Sequence, residues 1–354
     1  MPKHIKFPSI EQFRHTVAQV ERMYQFVGLN DQGEPIYDQG IVKPVVKFKG
    51  SVKLHGTNAG VSYNYQDGLY AQSRENVITP EKDNYGFAAF VQANEAPFMR
   101  IFGEIMNQNH IDLDQETISI FGEWVGGSIQ KGVGVSNLEK SFFIFGVKVS
   151  RIIDDTSEFD KLHNREKADL WLEYDYIKNH EAKIYNILDY AQYEVDIDFN
   201  MPQLMQNSLS ALTIAVEEEC PVAKAFGVSG VGEGIVWIGE CNGYRLAFKV
   251  KGEKHSSSKV TTLAAVDTEK LNGIVAFIDN VCTESRFNQA LEKTFLNGVK
   301  PSVQKTGDVI RWFIGDVMKE EADTMKANNI DPKDVNSHLS KRVKEMFMKH
   351  LQTF

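Results

Sequence analysis

The sequence of 354 residues predicts an α+β chain: an antiparallel-sheet domain over residues 1–255, then a small all-helical domain over residues 256–354. Three observations predict it. Short runs rich in Val, Ile, Phe and Tyr, punctuated by Gly, Asn and Asp, begin near residue 42 and stop before Ser256. Two pairs of these runs are separated only by turn-forming residues, the pattern of hairpins. Beyond Ser256–Ser258 the apolar residues recur at helical spacing alone.

In chain order, residues 9–27 read as a short helix with Ser9 as N-cap and Phe13, Val17, Val20 and Tyr24 on one face. The runs VVKFKGSVKLHG, AGVSYNY, LYAQSR, ISIFGEW and FFIFGVKV follow as strands, the second and third joined through Gln66-Asp67-Gly68. Residues 160–193 return to helix-like spacing. GIVWIG and YRLAFKVK then form a hairpin through Glu240-Cys241-Asn242-Gly243. In the tail, Asp267 caps a helix carrying Leu271, Ile274, Val275 and Ile278. Thr283 caps one carrying Phe287, Leu291 and Phe295, and Val309, Trp312, Phe313 and Val317 form a third stripe. Asp331-Pro332 opens a fourth over Val335, Leu339, Val343 and Phe347, with proline at the first helical position where no amide donor is missed.

Composition excludes several classes. Apolar content of 42% and charged content of 25% are those of a folded globule rather than a disordered chain. Cys220, Cys241 and Cys282 are scattered and odd in number, so a disulfide framework and a cysteine-based zinc site are not expected, and a reducing cytoplasm is the expected home, that of a phage or virus host included. No run approaches the roughly 18 apolar residues of a membrane span, and the first residues lack the apolar stretch of a signal peptide. A net charge of −9 argues against indiscriminate coating of nucleic acid, while Arg245, Lys249, Lys251, Lys254 and Lys259 form a local basic run that could meet RNA phosphates. The histidines show no metal-binding spacing, and there is no Gly-rich phosphate loop and no serine-hydrolase elbow.

The residues that carry chemistry sit at strand ends. Lys53-Leu54-His55-Gly56-Thr57-Asn58 closes the first long strand. A lysine, ordinarily protonated up to about pH 10.4, becomes a nucleophile when desolvation or neighbouring cations favour the neutral amine. Ser73-Arg74, Phe121-Gly122-Glu123, Phe142 to Phe145, Glu233-Gly234 and Lys249-Val250-Lys251 follow. Residues i and i+2 of a strand share a face, so Lys249 and Lys251 would line one site. An amine, cations, two carboxylates and an aromatic ring are what covalent nucleotidyl transfer needs.

In this order the motifs resemble those of the covalent nucleotidyltransferase superfamily of polynucleotide ligases and RNA-capping enzymes. Histidine at His55, where most members carry aspartate, is similar to the RNA ligase 2 family of phage enzymes and RNA-editing ligases. The resemblance covers residues 53–259 and implies an ATP-dependent RNA ligase. In it, Lys53 is the adenylylated nucleophile, His55 and Asn58 orient phosphates or the nick, and Arg74 contacts phosphate. Glu123 holds the ribose hydroxyls and Phe145, chosen over Phe142 and Phe143 by its spacing from Glu123, stacks on adenine. Glu233 binds the metal, Mg²⁺ or Mn²⁺, and Lys249 and Lys251 hold the α-phosphate. Gly146 stands where members commonly carry an acid, and Gln130-Lys131 resembles a further element. The implied partner is RNA, as a nicked or splinted duplex, with no protein partner; in the tail, Arg286 and the i, i+4 pair Asp316 and Glu320 are candidates for contact with RNA or its 5′ end. A DNA ligase or GTP-dependent capping-type enzyme is the alternative among enzymes, and an inactive RNA- or nucleotide-binding relative the alternative outside them.

Overall fold

The computed structural model describes residues 2–127, 129–152, 169–255, 273–295, 300–327 and 330–352. The fold is α+β, with antiparallel sheets and a helical C-terminal region. Strands are β1 (Glu11–Gln12), β2 (Phe26–Leu29), β3 (Pro35–Tyr37), β4 (Val45–Lys53), β5 (Thr57–Asn64), β6 (Gly68–Ser73), β7 (Val77–Ile78), β8 (Glu116–Val125), β9 (Ser141–Arg151), β10 (Asp169–Leu172), β11 (Ile184–Asn186), β12 (Gln192–Asp198), β13 (Gly234–Cys241) and β14 (Tyr244–Lys251). Helices are α1 (Phe13–Gln25), α2 (Phe87–Ala93), α3 (Glu95–Gln108), α4 (Gln206–Glu218), α5 (Pro221–Ala225), α6 (Gly273–Val281), α7 (Glu284–Thr294), α8 (Thr306–Glu320), α9 (Ala322–Ala327) and α10 (Pro332–Leu351).

The chain divides into two compact units. The first holds Met1–Glu11, Val46–Asp196 and Leu212–Val250; the second gathers Gln12–Val45, Ile197–Ala211 and Lys251–Phe354.

Two sheets build the first unit. One is five-stranded in the order β1-β14-β13-β4-β12; the other runs β10-β9-β8-β5-β6-β7, with β11 pairing parallel to β9. Strict alternation along β5 and β8 sends Ala59, Val61, Ile118, Ile120 and Trp124 to one face of the second sheet. There they pack on Phe87 of α2 and on Phe98, Ile101, Phe102 and Ile105 of α3. The opposite face carries Asn58, Gly60 and Ser62 beside Glu123, Phe121 and Ser119. The β13–β14 turn has both central residues, Asn242 and Gly243, at positive φ, the geometry whose twist matches antiparallel strands.

Several expectations are corrected. The first helix starts at Phe13 rather than Ser9, and its N-cap, Gln12, makes no side-chain capping bond. Within 160–193, the described residues form β10, β11, a short 3₁₀ turn at Ile187–Asp189 and the start of β12 instead of a helix. Pairing with β9 on both counts overrides the local spacing. The supposed cap Asp267, the Ser256–Ser258 stretch and Lys259 lie outside the described residues.

In the second unit the helix signals hold. Thr283 accepts from Arg286 N, Asp331 accepts from Lys333 N, and Pro332 opens α10. Val335, Leu339, Val343 and Phe347 are fully buried against Phe277, Phe287, Val309, Phe313 and Val317. Arg286, with no exposed surface, donates to Asp316 and Glu321, and to the Val281 carbonyl. Its guanidinium is thus spent on packing the helices. Glu321 is shared with Arg14 of α1 at 3.1 Å, and Gln12 reaches Glu320 at 2.7 Å, which ties the N-terminal helix to α8 and α9.

Candidate active site

The segment Leu54–Gly56 carries the chain from β4 in one sheet to β5 in the other, so the Lys53 motif lies where the sheets meet. Lys53 is the last residue of β4, and its register partner on β13 is Gly234. Glu233 therefore enters the site from the loop just before β13. That loop is pinned from behind: Gly232 N donates to Val216 O, and Gly134 N donates to Val231 O.

Lys53 Nζ donates to Glu233 Oε2 at 2.6 Å, and His55 Nδ1 lies 3.4 Å from the same oxygen. The Glu233 side chain is 2% exposed and that of Lys53 22%. The amine thus faces a buried carboxylate while keeping an open side. Glu123 comes from β8 and accepts from Gly56 N at 2.9 Å. Burial pushes its carboxyl above the usual carboxylate range and the charge of Glu233 adds to this, while Lys53, the Gly56 amide and His55 pull it back.

Gly56 has to be glycine. A Cβ there would stand 2.6 Å from Val125 Cγ1 and press on the Trp124 carbonyl oxygen. Gln130, itself buried, donates to Gly56 O at 3.3 Å, and Asn84 donates to Thr57 Oγ1 at 3.0 Å. The motif is therefore held by side chains on both flanks.

Asn58 pairs with Glu123 across β5 and β8, and Glu123 pairs with Phe143 across β8 and β9, which puts Asn58, Glu123 and Phe143 in one row. A bulge follows: Phe121 pairs with Gly146 while Gly122 pairs with Ile144, leaving Phe145 as the extra residue. Phe142 packs on Phe87 and Phe98 in the opposite core. Phe143 is fully buried against Tyr185. Phe145 is half-buried and meets Phe7 edge-on, with ring centroids 5.0 Å apart.

The remaining candidates belong to the ends of β6 and β14. Arg74 follows Ser73, the partner of Ala59, and its exposed guanidinium lies 3.6 Å from Glu75. Lys249 and Lys251 are half-buried on β14, next to β13, and alternation sets them on the face away from the buried Leu246 and Phe248. The structure thus brings Lys53, His55, Glu123 and Glu233 together around Gly56, and places Asn58 in the adjoining row. It shows no contact from Arg74 to this group.

Among the described residues no three His, Cys, Asp or Glu side chains form a ready-made metal cluster. The donor set at hand is the Glu233 carboxylate, with Glu123 near the same lysine. That fits a hard divalent ion which takes one or two carboxylates and completes its shell with water and phosphate oxygens.

A family model described as RNA ligase matches residues 47–251. Solved structures similar to the chain include the Naegleria gruberi RNA ligase with PPi, at 16% identity and a TM-score of 0.38, over 71% of this chain and 57% of that one. A variant of the same protein with ATP and Mn matches at 14% identity, a TM-score of 0.38 and the same coverage. The matched region spans little more than half the length of those structures, and a likeness at this level carries no functional weight of its own. No curated protein matches the chain. The family model alone takes in more than half of the sequence, motif residues Lys53 to Lys251 included, and the chain belongs to the RNA ligase family.

Proposed function

We propose that this chain is an ATP-dependent RNA ligase that joins 3′-hydroxyl and 5′-phosphate ends through lysyl-AMP and RNA-adenylate intermediates. The observation that carries the reading is the meeting of Lys53 Nζ with the buried Glu233 carboxylate, on a strand end that passes straight into a loop clamped by Glu123.

In the first step the neutral Lys53 amine attacks the ATP α-phosphorus. The N–P bond forms, the bond from phosphorus to the bridging α–β oxygen breaks, and pyrophosphate leaves. Glu233 Oε2, 2.6 Å from Nζ, is the acceptor in reach of the proton that the amine sheds. Lys249 and Lys251 balance charge on the α-phosphate, and Arg74 takes an outer phosphate. Glu123 accepts from the ribose hydroxyls while Phe145 stacks on the base, with His55 and Asn58 orienting phosphate. Glu233 would hold a Mg²⁺ or Mn²⁺ ion, which when bound would supply charge neutralisation on the phosphates. The 5′-phosphate of RNA then takes the AMP from Lys53, and the 3′-hydroxyl displaces AMP to seal the strand. These are phosphoryl displacements in which positioning and electrostatics do most of the work.

We assign nucleotidyl transfer to residues 1–255 and engagement of RNA, as a nicked or splinted duplex, to residues 256–354. The three cysteines, all free thiols, suit work in a reducing cytoplasm. The test is incubation with α-labelled ATP and Mg²⁺. Label should stay on the denatured protein, vanish in Lys53→Ala and persist in Lys254→Ala. Absence of label on the wild type overturns the reading, and preference for labelled GTP transfers it to the capping-type chemistry. Sealing of DNA nicks in preference to RNA nicks in a duplex panel would move the substrate to DNA.

A further inference from the structure

We infer that Phe7 is a positioning residue for Phe145 and that the N-terminal strap Lys3–Phe7 sets the nucleobase end of the site. The inference rests on the ligase reading in taking Phe145 as the ring that stacks on adenine.

The strap is stitched to the sheet face that carries Glu123. Gln72, 2% exposed, gives both ends of its amide to one strap residue: Ile5 N donates to Gln72 Oε1 at 3.1 Å, and Gln72 Nε2 donates to Ile5 O at 2.6 Å. Tyr70 Oη donates to Lys3 O at 2.9 Å and Lys148 Nζ to Lys6 O at 3.1 Å. His4 Nε2 lies 3.1 Å from Ser73 O, beside Arg74. A buried glutamine amide that both accepts from and donates to a single residue fixes the register of the segment carrying that residue.

The register places the strap next to the site. Gln72 pairs with Gly60, Gly60 with Phe121, and Phe121 with Gly146. This row lies two residues, or about 7 Å, along the strands from the row of Asn58, Glu123 and Phe143. The space above its two glycines is filled by neighbours: a Cβ added at Gly60 would meet Gln72 Cγ at 3.1 Å, and one added at Gly146 would meet Trp171 Cζ3 at 3.3 Å and Phe7 Cε2 at 3.6 Å. Phe145, squeezed out by the bulge, lies between the two rows. The Phe7 ring meets it at 64° and also touches Phe121 at 5.1 Å and Trp171 at 5.6 Å. Tilted edge contacts of this kind restrain a ring's orientation as well as bury it. Phe145 is only half-buried, and the edge contact with Phe7 is what orients its ring.

The test uses the full chain and two probes, the non-cleavable analogue α,β-methylene-ATP and inorganic tripolyphosphate. Phe7→Ala should raise the Kd for the analogue about tenfold, ~1.4 kcal/mol, and leave that for tripolyphosphate unchanged. Phe7→Leu, which keeps apolar bulk without a ring edge and decides the matter if the alanine variant fails to fold, should shift it in the same direction. In a Phe145→Ala background the Phe7 substitution should add nothing. Equal weakening of both probes, an unmoved analogue Kd, or full persistence of the effect without Phe145 overturns the inference. Wild-type labelling of Lys53 is scored separately, so failure of the ligase reading and failure of the strap show in different assays.

Discussion

Replacing Gly56 by alanine tests the geometry of the site with one carbon atom. The new Cβ would lie 2.6 Å from Val125 Cγ1 and 3.1 Å from Glu123 Cγ, against an ordinary contact of 3.4–4 Å. The Trp124 carbonyl, fixed in the sheet, cannot retreat, so the loop has to withdraw by roughly 1 Å, enough to carry Gly56 N beyond hydrogen-bonding range of Glu123 Oε1, now at 2.9 Å. Loss of a hydrogen bond to a charged acceptor is worth about 1.5–3 kcal/mol, a factor of about 10 to 150 in rate. A displacement of that size between reacting groups leads independently to about 10²-fold. Single-turnover labelling of Lys53 at saturating ATP should therefore slow by about two orders of magnitude. The melting temperature should fall by only a few degrees, as expected for local overpacking. A Gly56→Ala protein that labels within about twofold of wild type would refute the clamped-loop reasoning.

Other perturbations have equally definite outcomes. The native carboxyl of Glu123 holds its proton above the usual carboxylate range, so the folded state binds that proton more tightly than the unfolded one. Stability should be highest where Glu123 is protonated in both states, and should fall as pH rises from the unfolded range near 4.3 through the raised native value. Glu123→Gln, which still accepts from Gly56 N, should remove that fall in denaturant titrations and be more stable at pH 7, while ATP-dependent labelling drops. Arg286→Met removes one of the two guanidinium partners of the buried Glu321 carboxylate, Arg14 remaining, and takes away the donor to Asp316; it should cost about 1.5–3 kcal/mol in chemical denaturation of the helical unit. Gly103→Ala in α3 and Gly315→Ala in α8 meet nothing within 4 Å, and each should stabilise by about 0.5–1 kcal/mol with labelling unchanged.

Much of this was legible locally. Turn chemistry exposed the β5–β6 and β13–β14 hairpins, and the Thr283 and Asp331 caps and the stripe under α10 follow from spacing. The helical spacing assigned to 160–193 failed because β10 and β11 are only four and three residues long and exist by pairing with β9, a partner that local periodicity does not see. The helices α2 and α3 were missed, although Phe98, Ile101, Phe102 and Ile105 carry a helical stripe and Pro97 sits harmlessly in the first turn of α3. At the site, motif order singled out Lys53, Glu123 and Glu233, which the structure sets around Gly56. The bulge that separates Phe145 from Phe143 depends on register, and the roles of Gln72, Gln130 and Phe7 depend on chain segments tens of residues away. No window of sequence holds that information.

The ion-pair cluster of the helical unit joins Arg14 to Glu321 across 307 positions of sequence. A contact of that span forms only after its loop has closed, so Arg14 stays hydrated until Glu320 and Glu321, at the end of α8, are in place. Burial of α1 therefore belongs to the long-range stage of folding rather than to its local start, and substitutions at this cluster should act on folding more than local helix propensity predicts.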